Sequence, residues 1–174
     1  NTFPKTIIVN VSNRGNESID NVDFHLQIYK EHPYEPEDYQ CWDMETCFLI
    51  TWDTISADGD QATWTWTEKR YNSPTHSYHS QPDYMDYYEA NSEDYLVLHD
   101  WFEIPATVNS KVVHAAFLNF SHWCEGEFDG ANPVDYGIVY IENASGVHKV
   151  GGPYYDTNGE WEYEELDISD YIGQ

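Results

Sequence analysis

The pattern of apolar and polar positions over residues 111–142 predicts two strands joined by a turn, and the chain is organised around this stretch. Along residues 112–123 most positions on both faces of an extended strand are apolar, which predicts a strand in the middle of a packed sheet. After an acidic turn that contains glycine, residues 136–142 alternate again. The pattern predicts two strands that pair as a central hairpin.

A second alternating region covers residues 5–30. Ile7, Val9 and Val11 alternate with other residues, turn-forming residues follow at 13–16, and an apolar alternation resumes over residues 22–28. This order is typical of a hairpin. It predicts a two-stranded N-terminal β arm within residues 1–30.

The rest of the chain also favours strands. Residues 31–47 are rich in proline, acidic residues and tyrosine, which predicts a linker or surface loop, and residues 71–94 are irregular. No segment of ten or more residues has a helical period. Further short strands are predicted at 48–52, 62–67, 95–104 and 161–168. The sequence therefore predicts an all-β fold with strands at the spacing of a sandwich.

The charge of the chain excludes some partners. Of its 174 residues, 32 are Asp or Glu and 7 are Lys or Arg, so the formal net charge is −25. Nucleic acid is excluded because phosphates bind basic surfaces, and anionic membrane surfaces are disfavoured for the same reason. No apolar run has the length of a membrane span, so we expect no membrane insertion.

Four Asn-x-Ser sequons predict glycosylation and an extracellular or cell-surface location. They begin at Asn10, Asn16, Asn119 and Asn143. The chain starts at Asn1 without a methionine, which we interpret as a mature or excised product.

The three cysteines are Cys41, Cys47 and Cys124. In an exported protein an odd count predicts one disulfide and one further thiol that is free or intermolecular. Because Cys41 and Cys47 are near neighbours in sequence, we favour a local bond between them.

Two stretches carry resemblances to known families. The phrase VNVSNRGNESIDNVDFHLQIY resembles the start of the immunoglobulin-like CARDB domains of prokaryotic surface proteins. The ordered phrases ATWTWTEKRYNSPTHSYHS, YLVLHDWFEIP, AAFLNFSHWCEGEFDGANPVDYGIVYIENASG and GEWEYEELDISDYIGQ resemble the MAM-like jelly-roll domains that accompany secreted immune-inhibitor-A-type metalloproteases. The second resemblance covers residues 48–174 and implies a jelly-roll sandwich with an accessory or structural role.

The sequence departs from the MAM-like pattern after its last matching phrase. In MAM-like domains the phrase that matches DISDYIGQ is followed by another long strand, whereas here the chain stops at Gln174. This implies a sandwich with an open edge. The metalloprotease motif His-Glu-x-x-His is absent from the sequence.

A structural calcium ion is one interpretation of the acidic turn in the central region. Carboxylates on loops suit Ca²⁺, and the candidate ligands are Glu125, Glu127, Asp129 and Asp135. The alternative is a solvated acidic turn in a chain that is acidic throughout. No other cofactor is predicted.

Histidines and aromatic residues give further candidates. Six of the eight histidines are candidates for a metal or catalytic site, namely His76, His79, His99, His114, His122 and His148. They show no metal-binding spacing, and Gly-x-Ser-x-Gly is absent, so we expect no enzyme. An aromatic belt around the irregular region could stack on sugars or could be core; it consists of Tyr78, Tyr84, Tyr87, Tyr88, Tyr95 and Trp101.

Together these patterns predict a non-enzymatic structural subunit of a prokaryotic surface filament or layer. The complementary arm and open edge predict head-to-tail β-strand donation between copies of the chain, with Ile7, Val9 and Val11 filling the neighbour's groove. The alternative is a carbohydrate- or substrate-binding accessory module of a secreted hydrolase, for which glycans are the expected ligands.

Overall fold

The computed structural model describes the backbone of residues 6–11, 19–29 and 36–42, and the backbone and side chains of residues 52–57, 64–72, 75–80 and 93–174. These residues form strands β1 Thr6–Val11, β2 Ile19–Tyr29, β3 Pro36–Trp42, β4 Trp52–Ser56, β5 Thr65–Thr67, β6 Ser77–His79, β7 Asp94–Leu98, β8 Thr107–Val108, β9 Lys111–Val112, β10 Ala115–Cys124, β11 Phe128–Asp129, β12 Asn132–Pro133, β13 Gly137–Asn143, β14 Gly146–Tyr154 and β15 Glu162–Asp167. A 3₁₀ turn follows at Ser169–Tyr171. The described part of the chain contains no helix of the length and hydropathy needed to cross a membrane.

The first sheet, sheet A, has the strand order β14-β13-β1-β7-β4. All neighbouring strands are antiparallel. The first strand of the chain therefore lies in the middle of this sheet. The Cα atom of Val9 is paired with Val139 on one side and with Leu96 on the other.

The second sheet, sheet B, has the order β15-β10-β2-β6-β5, and β3 also pairs with β2. Strand β10 lies between β15 and β2, so Leu118 is paired with both Leu166 and Leu26. A register irregularity follows His122 in the pairing of β10 with β2. The two remaining pairs, β8 with β9 and β11 with β12, are short ribbons.

Buried side chains of both sheets join in one hydrophobic core. Leu96 and Val139 come from sheet A, whereas Leu118 and Phe120 come from sheet B, and each is at most 1% exposed. The predicted all-β fold is therefore confirmed. Its jelly-roll form stays a prediction.

The N-terminal arm prediction is wrong in its pairing. Both strands form, but β1 lies in sheet A and β2 in sheet B, and they do not pair with each other. The predicted linker at 31–47 contains β3, which pairs with β2. Strands on the two sides of the domain boundaries proposed at residues 30 and 47 therefore pair with each other. An alternating pattern identifies an extended segment, but it does not identify the partner strand.

The predicted central hairpin is wrong for the same reason. Strands β10 and β13 form where the pattern placed them, but they belong to different sheets, and β13 pairs with β1 and β14. Strand β1 is not a projecting arm, because it pairs along both sides within its own chain. After β15 the chain ends in the 3₁₀ turn, and the Gly173 N–H donates to the Ile104 carbonyl oxygen.

Candidate functional site

The candidate site lies where edge strand β15 pairs with β10. The directly paired residues are Leu118 with Leu166, Phe120 with Glu164 and His122 with Glu162. Directly opposed residues of an antiparallel pair project from the same face, so this row belongs to the core-facing side that carries Leu118 and Phe120. Along the row the side chains change from apolar to polar. His122 and the two glutamates end the apolar row.

Strand β14 of sheet A covers the row with the Tyr154 ring. The ring centroid of Tyr154 is 4.6 Å from that of His122 and 5.6 Å from that of Phe120. Gly151 of the same strand leaves space for this packing, because a Cβ atom there would lie 2.5 Å from the Tyr154 hydroxyl oxygen and 2.6 Å from Leu166 Cδ1. The site is thus enclosed between β14 and the β10–β15 pair.

His122 is buried and electrically neutral at pH 7. The residue is 3% exposed, and burial lowers its pKa to about 4. Nδ1 lies 3.6 Å from Cys124 Sγ, which is within reach of a hydrogen bond to sulfur. Nε2 has no hydrogen-bond partner and lies 3.6 Å from Glu164 Oε1, beyond the normal range.

Burial also acts on the groups beside His122. It raises the pKa of Glu164, and the nearby charge of Glu162 raises it further. Burial likewise raises the pKa of the Tyr154 hydroxyl, with a smaller contribution from Glu164. The site therefore combines a neutral imidazole with the side chains of two glutamates.

The ligand atoms of His122, Glu162 and Glu164 all lie within 4.8 Å of one another. Within the described residues, this is the one group of three or more His, Cys, Asp or Glu side chains that converges so closely. Glu162 is exposed and Glu164 is half-buried, so the site opens to solvent on the glutamate side. An imidazole with two carboxylates can bind a divalent cation.

The four residues of the calcium prediction are not gathered in this way. Asp135 is fully buried and its Oδ2 accepts a hydrogen bond of 2.9 Å from the Glu127 N–H. Glu125 and Asp129 are exposed. The Asp135 carboxylate therefore anchors the β11–β12 ribbon, and the calcium prediction has no support from the geometry of these side chains.

The predicted modification sites have different outcomes. Cys124 is buried in β10, whereas Cys47 lies outside the described residues, so the bond between Cys41 and Cys47 stays a prediction. Asn119 is 1% exposed in β10, so glycosylation there is wrong for the folded chain. Asn143 is half-buried and donates a hydrogen bond to Gln174.

The two remaining sequons have no described side chains. Asn10 lies in β1, where its Cα atom is paired with Ile138 and Tyr95, and Asn16 lies outside the described residues. Glycosylation at these two positions stays a prediction.

The aromatic belt does not form one surface. Tyr78 is 2% exposed and belongs to the core, so its assignment to a sugar-binding surface is wrong. Tyr95 is half-buried and Trp101 is exposed. The other members, Tyr84, Tyr87 and Tyr88, lie outside the described residues.

Sequence reasoning noted His122 but missed its two partners. Glu162 and Glu164 alternate on β15 ahead of Leu166, so two acidic residues occupy positions of the core-facing row. Polar residues at the core-facing positions of an alternating strand were the sequence signal that could have indicated this site. The pairing of β15 with β10 was not visible in the sequence.

No protein-family model matches this chain, and no curated protein or solved structure shows significant similarity to it. The resemblances to CARDB and MAM-like domains therefore stay predictions.

Proposed function

We propose that this chain is a non-enzymatic structural subunit of an extracellular assembly, and that its copies join by exchanging β1. The observation that supports this is the order of sheet A. In the described strands, β13 and β7 are connected only through β1, which pairs with both. The exchanged strand would fill the equivalent slot between β13 and β7 of another copy, not an open edge beyond Gln174.

The slot is a strong template for an identical strand. If β1 leaves, β13 and β7 each lose a row of backbone hydrogen-bond partners, and unpaired backbone groups are costly away from water. A second copy of β1 restores both rows in the same register, as in domain swapping. Exchange therefore keeps the pairing of every subunit and joins the copies. Repeated head-to-tail, it builds a filament.

The charge of the chain sets the conditions for this assembly. Copies with a net charge of −25 repel one another at low ionic strength. At about 0.1 M salt, charges more than roughly 10 Å apart are largely screened. We therefore expect assembly to require salt, and we expect dilute low-salt solutions to contain single chains.

Register-specific crosslinking tests the proposal. Ile8 and Val97 are directly paired, at a separation that suits a disulfide. The variant Ile8→Cys with Val97→Cys is prepared in a chain whose three natural cysteines are replaced by alanine. The assembly is formed from reduced protein and then oxidised. We expect a ladder of covalently linked chains on a denaturing gel without reductant.

The matched control is Asn10→Cys with Val97→Cys, which places the two cysteines two residues out of register on the same strands. It should assemble equally well and give no ladder. Assembled Ile8→Cys, Val97→Cys protein that contains only intrachain bonds would overturn the exchange of β1. A chain that stays single at every salt and protein concentration would overturn the assembly itself and favour a binding module.

A further inference from the structure

One buried nitrogen of the β10–β15 edge faces a pair of carboxylates without making a hydrogen bond. Nε2 of His122 is fully enclosed and has no hydrogen-bond partner, and the nearest carboxylate oxygen, Glu164 Oε1, is 3.6 Å away. Buried polar atoms normally have a partner, so an unsatisfied one in a native fold requires a reason. A bound ion between the nitrogen and the carboxylates supplies that partner.

We infer that His122, Glu162 and Glu164 form a binding site for a divalent transition-metal ion, and that Zn²⁺ is the ion that fits best. Zinc binds nitrogen and oxygen donors with few ligands. Calcium requires six to eight oxygen ligands, and magnesium prefers oxygen donors and retains water. A set of one imidazole and two carboxylates therefore favours zinc, with the remaining coordination position open to water.

The separations within the group suit this ion. Bonds of about 2.0–2.1 Å in a tetrahedral site place neighbouring ligand atoms roughly 3.4 Å apart. The Nε2–Oε1 separation of 3.6 Å is close to that value, and all three ligand atoms lie within 4.8 Å. Glu162 is exposed, so its side chain can approach an ion without disturbing the core.

Cys124 orients the imidazole for this role. Its Sγ lies 3.6 Å from Nδ1, on the opposite side of the ring from Nε2. When the Nδ1–H donates to this sulfur, Nε2 carries the lone pair that a metal ion needs. Metal-binding histidines commonly have such a partner on the second nitrogen. Cys124 is therefore a positioning residue and not a ligand.

Binding of zinc and of other ions to the chelator-treated chain tests the inference. The protein carries no affinity-tag histidines, and calorimetry is run with Zn²⁺, Ca²⁺ and Mg²⁺ separately. We expect one equivalent of Zn²⁺ to bind and to raise the melting temperature, with little effect of the other two ions. Substituting Co²⁺ for Zn²⁺ should give the visible absorption of a low-coordinate nitrogen and oxygen site.

Variants identify the ligands. Glu162→Gln should weaken zinc binding and leave the fold intact because Glu162 is exposed, and Glu164→Gln and His122→Asn should abolish it. Cys124→Ser should lower the zinc affinity by about 10–100-fold. The control is His99→Asn, which removes an exposed histidine near Asp53 and should bind zinc normally. Zinc binding that survives both glutamine variants, or the absence of one-equivalent binding, would overturn the inference.

Discussion

Two histidines of this protein lie near a carboxylate, and their pKa values are shifted in opposite directions. Beside sheet A, His99 Nδ1 lies 2.9 Å from Oδ2 of Asp53 in β4, and both side chains are about half exposed, at 51% and 52%. In sheet B, His122 Nε2 lies 3.6 Å from Glu164 Oε1, with side-chain exposures of 4% and 32%. The hydrogen bond with Asp53 raises the pKa of His99, whereas burial lowers that of His122 to about 4.

The comparison shows that a neighbouring carboxylate does not by itself make a histidine cationic. At the surface, water solvates both charges, and the hydrogen bond favours the protonated ring. In the enclosed site the cost of burying a charge exceeds the attraction of a carboxylate that makes no hydrogen bond. The exposed contact therefore favours the protonated ring of His99, whereas the enclosed ring of His122 keeps a nitrogen lone pair available. Only the second arrangement suits a metal ligand.

The largest predicted effect is a loss of stability in acid that His122 causes in the chelator-treated protein. Its pKa falls from 6.5 in the unfolded chain to about 4 in the folded chain. Below pH 6.5 the unfolded chain binds a proton that the folded chain does not, so the free energy of unfolding decreases from pH 6.5 down to about 4. A shift of this size corresponds to about 3 kcal/mol.

Urea unfolding of the wild type and of His122→Gln, between pH 7.5 and 4, isolates this contribution. The variant has no titrating ring, so the stability difference between the two proteins should change by about 3 kcal/mol. The raised pKa of Glu164 acts in the opposite direction, because protonation in acid relieves its unfavourable burial. The measurement is therefore repeated with Glu164→Gln in both chains. A stability difference that does not change with pH would refute the prediction.

A smaller effect follows from opening the enclosed site. Gly151→Ala places a Cβ atom against the Tyr154 hydroxyl and Leu166, so these side chains must move. We expect a destabilisation of about 1–3 kcal/mol, as for other overpacked positions. NMR titration should also show the pKa of His122 rising towards 6.5, because displacement of Tyr154 exposes the ring to water.

The matched control for Gly151→Ala is Tyr154→Phe, which removes the hydroxyl oxygen that lies 2.5 Å from the added carbon. The double variant should lose less stability than the sum of the two single variants. An additive loss, or a His122 pKa that stays near 4 in Gly151→Ala, would show that Tyr154 does not enclose the histidine.

The sequence predicts the extended segments of this fold better than their partners. Strands β10 and β13 overlap the segments where the alternation placed them, and β15 lies within its segment. However, the alternation only records which positions face an apolar environment. The choice of neighbour depends on packing between distant segments. For this reason β1 and β2 were predicted as a hairpin, although they belong to different sheets.

The sequence has the same limit as a predictor of the candidate site. His122 was visible as one of eight histidines, and Glu162 and Glu164 as two of many acidic residues. Only the register of β15 on β10 opposes His122 to Glu162, and only β14 brings the Tyr154 ring onto the histidine. The distinction between an enclosed and an exposed histidine is a property of the assembled sheets, so no local pattern could reveal it.

The smallest predicted effect concerns the exposed pair. The contact with Asp53 raises the folded-state pKa of His99, so it stabilises the fold below pH 6.5 and loses that contribution as the pH rises through the raised value. Asp53→Asn should lower the pKa of His99, because the largest cause of the raised value is the hydrogen bond to Asp53. Above the raised value, where the ring is neutral in both proteins, the variant should unfold at the same urea concentration as the wild type. NMR titration of the ring protons gives the pKa directly.

Asp100→Asn is the control for this prediction. Asp100 also raises the pKa of His99, but less than Asp53 does, so the variant should lower that pKa less than Asp53→Asn does. Neither variant should change the pKa of His122, because both act at sheet A and the shift of His122 arises from burial in sheet B. If Asp53→Asn leaves the pKa of His99 unchanged, the hydrogen bond does not determine its protonation. The difference between the pKa values of the two histidines would then be explained by their exposure alone.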